Sequence, residues 1–156
     1  MKKYFKYGIL LIVVLLILII GLYITMFSYE KIECSDKISE DNYIITNKYI
    51  IYHKKDVVKK VIINKEIQSN NNTILSFFEK NYKDEFYKNN KEYGGYKITS
   101  KKGNHTITVI GEVDFNKVKY DKIISSRNYL KEDISKNQMK INGIYKLFNI
   151  SKKTCK

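Results

Sequence analysis

A chain of 156 residues has room for one domain after an N-terminal leader. Its formal charge is +13, yet Arg127 is the single arginine among 29 basic residues. Lysines mixed with Asp and Glu lack the planar bidentate fork on which base and phosphate readers draw, so nucleic acid is excluded as the expected partner.

Alanine, proline and tryptophan are absent, and lysine, asparagine, isoleucine and tyrosine dominate. These residues share A/T-rich codons, so a lysine-rich solvated surface is read first as genome composition.

Residues 8–27 form twenty consecutive positions without a charge. At about 1.5 Å per residue a helix of that length spans about 30 Å, the thickness of a bilayer's hydrocarbon core. Lys2, Lys3 and Lys6 precede the run; Glu30, Glu33, Asp36, Glu40 and Asp41 follow it against only Lys31 and Lys37. Positive residues stay on the cytoplasmic side, so residues 1–7 are expected inside, 8–27 as a single-pass signal-anchor helix in the cell membrane, and the rest outside. A cleaved signal peptide would have a shorter apolar stretch and a small-x-small site, and 23–29 offers none.

Residues 28–42 are charged and without periodicity, and are expected to be a stalk carrying Cys34. The other cysteine, Cys155, is one residue from the C-terminus. Outside the cytoplasm two thiols in one small domain are expected to pair, closing nearly the whole domain into a loop; two free thiols are the alternative. Thiol redox chemistry is not expected, because there is no CxxC.

The domain proper is expected to occupy 43–156. Residues 43–53 and 57–67, rich in β-branched and aromatic side chains, predict two strands joined at Lys54-Lys55-Asp56. The asparagine run 70–72 supplies an N-cap for a helix over 73–93, in which Leu75, Phe78, Tyr82 and Phe86 form one apolar stripe. Gly94-Gly95 ends it. A second hairpin is expected from 96–100 and 105–115 around a turn at 101–104, with Ile107, Val109, Val113 and Phe115 on one face and Thr106, Thr108, Glu112 and Asp114 on the wet one. Residues 117–138 predict short helical turns near 120–124 and 129–134, and 140–149 a final helix. The expected fold is α+β: an N-terminal transmembrane helix, then an antiparallel sheet of about four strands in two hairpins with two helices on one face.

Several of these motifs, YGGY (93–96), VDFNKV (113–118) and the terminal GIYKLF (143–148) with TCK (154–156), resemble the YehR-like family of small bacterial lipoproteins and their membrane-anchored relatives. The resemblance implies an envelope-associated α+β domain with no established active site to carry over. The chain departs from the lipoprotein members in its cysteine, since Cys34 follows Lys31-Ile32-Glu33 rather than a short apolar run.

For chemistry the sequence offers little. His53 and His105 stand at strand ends and are expected near the surface, without the convergent His/Cys/Asp set a metal needs. Glu112 and Asp114 share one strand face, but a carboxylate pair divides acid and base roles only where burial separates their pKa values. No catalytic residue, cofactor site or metal site is assigned, and an enzyme is not expected. The 14 tyrosines suit either core packing or a sugar- or peptide-binding face. The function expected is binding of a partner at the outer membrane surface, with anionic lipid or wall polymer as the electrostatic version; an unrecognised envelope enzyme is the alternative.

Overall fold

Alternation of apolar and polar residues builds most of this molecule. The computed structural model describes residues 28–156 together with Leu16 and Ile17. The expected cytoplasmic 1–7 and membrane segment 8–27 lie, apart from those two residues, outside the described residues. Among the described residues no helix is long and apolar enough to cross a membrane.

Strands β1 (Glu30–Glu40), β2 (Tyr43–Lys54) and β3 (Val57–Gln68) form a meander. Helix α1 (Asn72–Tyr93) then crosses to β4 (Tyr96–Gly103), and β5 (Thr106–Asp114) returns between β4 and β3. The chain continues through α2 (Tyr120–Ser126), a 3-10 helix (Asn128–Asp133), the short hairpin β6 (Ile134–Ser135) and β7 (Gln138–Lys140), α3 (Ile141–Leu147) and a last 3-10 turn (Lys152–Thr154). The sheet has seven antiparallel strands, ordered β1-β2-β3-β5-β4, with β7 beside the start of β3 and β6 outside β7.

This overturns the expected fold of about four strands and two helices. The stalk expected at 28–42 is instead β1, paired along its length from Glu30↔His53 to Glu40↔Tyr43. Its sequence hides the strand because it lies at an edge: Cys34 is buried and Ile32 partly so, while Ile38 is 44% exposed and the rest is polar. The folded domain therefore begins near residue 30 rather than 43. The β6–β7 hairpin has no sequence signature because five residues in two strands carry too little pattern, and it forms by docking on Val57 and Val58. From residue 28 onward there are three α-helices and two 3-10 helices, not two helices.

α1 starts where Asn71 accepts the Thr73 amide at 2.8 Å and ends at Gly94, whose φ of 71° with ψ of 169° lies in a region open essentially only to glycine. Gly95 has φ 79°, and an added Cβ would lie 2.7 Å from the Asp114 carbonyl oxygen, so the helix-to-strand step requires glycine there as well.

The helices cover one sheet face in two apolar clusters. One, at the end where Ser28–Glu30 join β1 (the proximal end), packs Tyr49, Ile51, Val61, Ile63, Val113 and Phe115 against Ile123, Leu130, Ile144 and Phe86. The other, at the distal end, packs Ile45, Ile67, Ile107 and Val109 against Leu75 of α1. Between them runs a polar row, because Asp36, Asn47 and Lys65 are register partners. Asn47 donates to Asp36 at 3.0 Å and accepts from Lys65 at 3.2 Å, and the ammonium sits 4.6 Å from the Tyr82 ring centre. Burial pushes the Lys65 pKa down. No buried side-chain polar atom among the described residues lacks a hydrogen-bond partner.

Candidate binding surface at the proximal end

The two cysteines meet. Cys34 and Cys155 are joined by a disulfide that spans 121 residues of sequence. Beside it Glu33 and Lys156 exchange backbone hydrogen bonds of 3.0 and 2.8 Å, so the C-terminus pairs with the free edge of β1. Lys31 and Lys48, each 2.9 Å from the Glu33 carboxylate, donate to it and hold its pKa down to about 2.

The histidines do not converge. His53 is buried, contrary to the surface position expected, because it shares the helix-covered face of β2 with Asn47, Tyr49 and Ile51: its Nδ1–H donates to the Lys55 carbonyl at 2.7 Å, and Glu30 lies 3.9 Å away. His105 is exposed at the opposite end, in the β4–β5 turn with φ 58°. That turn is Asn104-His105 rather than 101–104, since β4 continues to Gly103.

Glu112 and Asp114 are both on the uncovered sheet face, where Lys60 lies 3.8 Å from Glu112 and Lys117 lies 3.3 Å from Asp114. They share neither burial nor a concavity. Among the described residues no group of three or more His, Cys, Asp or Glu could hold a metal ion.

The tyrosines divide between core and surface. Tyr49, Tyr93, Tyr96 and Tyr120 are buried, whereas Tyr29, Tyr87 and Tyr129 are exposed at separate places. Burial pushes the phenols of Tyr49, Tyr96 and Tyr120 up to about 12.

The uncovered sheet face mixes partly exposed Ile44, Ile50, Tyr52 and Ile62 with polar side chains, and no residue pointing from it is buried. Its charges are largely matched, as in the Lys31–Glu33–Lys48 group and the Lys60–Glu112 pair.

Charge is far less balanced in the C-terminal segment. Residues 115–156 carry eleven basic and three acidic side chains, a formal +8, whereas 8–114 carry fifteen and thirteen, a formal +2. The lysines that look scattered along the chain are therefore gathered by the fold, since 115–156 packs on the proximal half of the sheet. Within that segment only Lys117 and Lys146 make ion pairs among the described residues.

The proximal end also holds a cleft of about 500 Å³ lined by Lys59, Asn116, Lys119, Asp121, Lys136, Asn137 and Gln138 over a floor of Phe115, Val118 and Tyr120. β5 ends at Asp114 and β7 starts at Gln138, and the gap between them alongside β3 opens the cleft. The Tyr120 hydroxyl donates to the Phe115 carbonyl at 2.9 Å and braces the floor. Lys136 and Asn137, at the tip of the β6–β7 turn, have φ of 50° and 55°. At the distal end one concavity, about 390 Å³, is lined by Glu40, Asp41 and His105 without a lysine, and a second holds the single lysine Lys102. Sequence reasoning missed the cleft, and the charge skew of 115–156 was the one signal that could have pointed to it.

No protein-family model and no curated protein matches the chain. Among solved structures it is similar to the NMR structure of a protein from Streptococcus pneumoniae TIGR4, with TM-score 0.47 and 13% identity over 83% of this chain and 84% of that one.

Proposed function

We propose that this is a non-catalytic envelope protein, attached to the cell membrane through its uncharged run 8–27, whose domain binds an anionic envelope component outside the cell. The observation that carries the proposal is the gathering of +8 of formal charge in 115–156, with most of its lysines outside any ion pair among the described residues. Lysine side chains that are solvated and unmatched attract a polyanion without first breaking internal pairs. The resemblance of YGGY, VDFNKV and GIYKLF to the YehR-like family supports the envelope location. So does the Cys34–Cys155 disulfide, a bond that persists in oxidising compartments.

The test uses the full-length chain in neutral detergent, applied to beads that carry anionic lipid or anionic wall polymer. Retention is expected to weaken steeply as salt rises, because exposed charges are screened over about 8–10 Å at physiological ionic strength. Retention that does not depend on salt overturns the electrostatic reading. Protease added to intact cells tests the location: loss of the C-terminal part is expected, and its survival places the domain on the wrong side.

A further inference from the structure

The three lysines of the proximal cleft stand close to the point where the chain joins the sheet. β1 begins at Glu30, and the register row Lys31↔Tyr52↔Lys60↔Asp114 crosses the sheet at that level. Lys59 neighbours Lys60 in β3, and its carbonyl accepts the Phe115 amide at 2.9 Å, which puts the cleft on the same row. β1 and β3 are two strand spacings apart, roughly 10 Å. Only Ser28 and Tyr29 separate β1 from residues 8–27, so a membrane that holds the uncharged run lies next to the cleft.

We propose that this cleft is a site for the phosphodiester headgroup of anionic phospholipid, with Lys59, Lys119 and Lys136 supplying charge and Asn116, Asn137 and Gln138 supplying hydrogen-bond donors. The inference rests on the envelope reading and specifies the partner and the residues. None of the three lysines makes an ion pair among the described residues, and one carboxylate, Asp121, lines the cleft against them. Three ammonium groups around a polar hollow match a phosphate better than a neutral sugar or an apolar peptide, because phosphate offers both charge and acceptor oxygens. The hollow is too wet for a lipid tail, which stays in the bilayer. Tyr29, 53% exposed beside the junction, is placed to sit among headgroups.

The experiment compares the full-length protein in nanodiscs of purely zwitterionic lipid with the protein in nanodiscs containing a third of phosphatidylglycerol. An amine-reactive label is read out lysine by lysine by mass spectrometry. Labelling of Lys59, Lys119 and Lys136 is expected to slow by about fivefold in the anionic discs, the effect of a surface potential on a lysine held at the headgroups. Lys101 and Lys102, in the far half of β4, serve as the internal reference and are expected to label equally in both. A Lys119→Gln/Lys136→Gln variant is expected to lose the protection of Lys59 while still entering discs.

Equal labelling in the two discs by a protein that does enter them overturns the cleft and leaves the membrane attachment standing. A protein that does not enter discs of either kind overturns both. Protection in zwitterionic discs on addition of soluble glycerol phosphate, without protection by phosphatidylglycerol, assigns the hollow to a free phosphate ester and overturns the lipid assignment.

Discussion

At Gly111 the helix layer presses directly on the sheet. It lies on the helix-facing side of β5 between Val109 and Val113, and a Cβ built there would overlap Cζ and Cε1 of Phe86 and lie 3.1 Å from Cε2. Carbon atoms settle at about 3.5–4.0 Å, so in Gly111→Ala the ring must retreat by on the order of 1 Å. It has little room to do so, since Phe86 is 6% exposed and its ring meets Tyr96 edge-on at 5.9 Å. Overpacking of this kind costs about 1–3 kcal/mol, and the reduced freedom of the unfolded chain returns about 0.4–1, for a net loss of about 1–2 kcal/mol. Phe86→Leu alone is expected to destabilise by about 1–2 kcal/mol through lost burial. In the Gly111→Ala background the same change relieves the overlap, so its cost is expected to vanish or change sign, a coupling of about 1–2 kcal/mol. Urea denaturation of the full-length chain in mild detergent measures all four proteins, followed by far-UV circular dichroism and tyrosine fluorescence, since there is no tryptophan. A Gly111→Ala variant within about 0.5 kcal/mol of the parent, or an equal cost of Phe86→Leu in both backgrounds, refutes the overlap at this contact.

Three further outcomes are expected. Cys155→Ser, which opens a loop of 121 residues, should lower stability by up to about 5 kcal/mol on the chain-entropy model; a change under about 1 kcal/mol in urea would mean the unfolded chain is already compact. Glu79 accepts hydrogen bonds from Lys83 (2.7 Å) and Ser100 (2.6 Å), with Lys102 at 3.1 Å, which hold its pKa down to about 2. A depressed carboxylate contributes stability above its unfolded pKa and loses it as pH falls from about 4.5 through about 2. Allowing for its exposed lysine partners, Glu79→Gln should remove about 1–2 kcal/mol at neutral pH and flatten the acid limb between those values; an unchanged limb contradicts the assignment. Asn71→Ala deletes the side chain that caps α1 and should cost about 1 kcal/mol, whereas Asn70→Ala should cost much less; equal effects would remove the cap as the cause.

Legibility followed the strength of local pattern. The hairpin of β2 and β3 could be read from its β-branched residues, and α1 from its stripe and its two caps, because each of these signals acts within a few residues. β1 could not, since an edge strand needs only Ile32 and Cys34 inward and is held by Tyr43–Lys54 along its full length. His53 is a core residue because the alternation of β2 turns it, like Tyr49 and Ile51, to the helix-covered face. The candidate site escaped because the lysines at 59, 119 and 136 are far apart in sequence and meet only where β5 stops and β7 docks.

By itself the sequence determined the uncharged run 8–27 with its lysines in front, the periodicities of the central hairpin and long helix, and the supply of just two cysteines. Those are properties of neighbouring residues and of composition. The pairing of Cys34 with Cys155 followed from that supply, whereas only the tertiary structure decided that residues 30–40 join the sheet and that the excess charge of 115–156 collects at one end of it. These depend on which distant backbone groups find each other as hydrogen-bond partners, a choice made by the whole chain when it buries its apolar face.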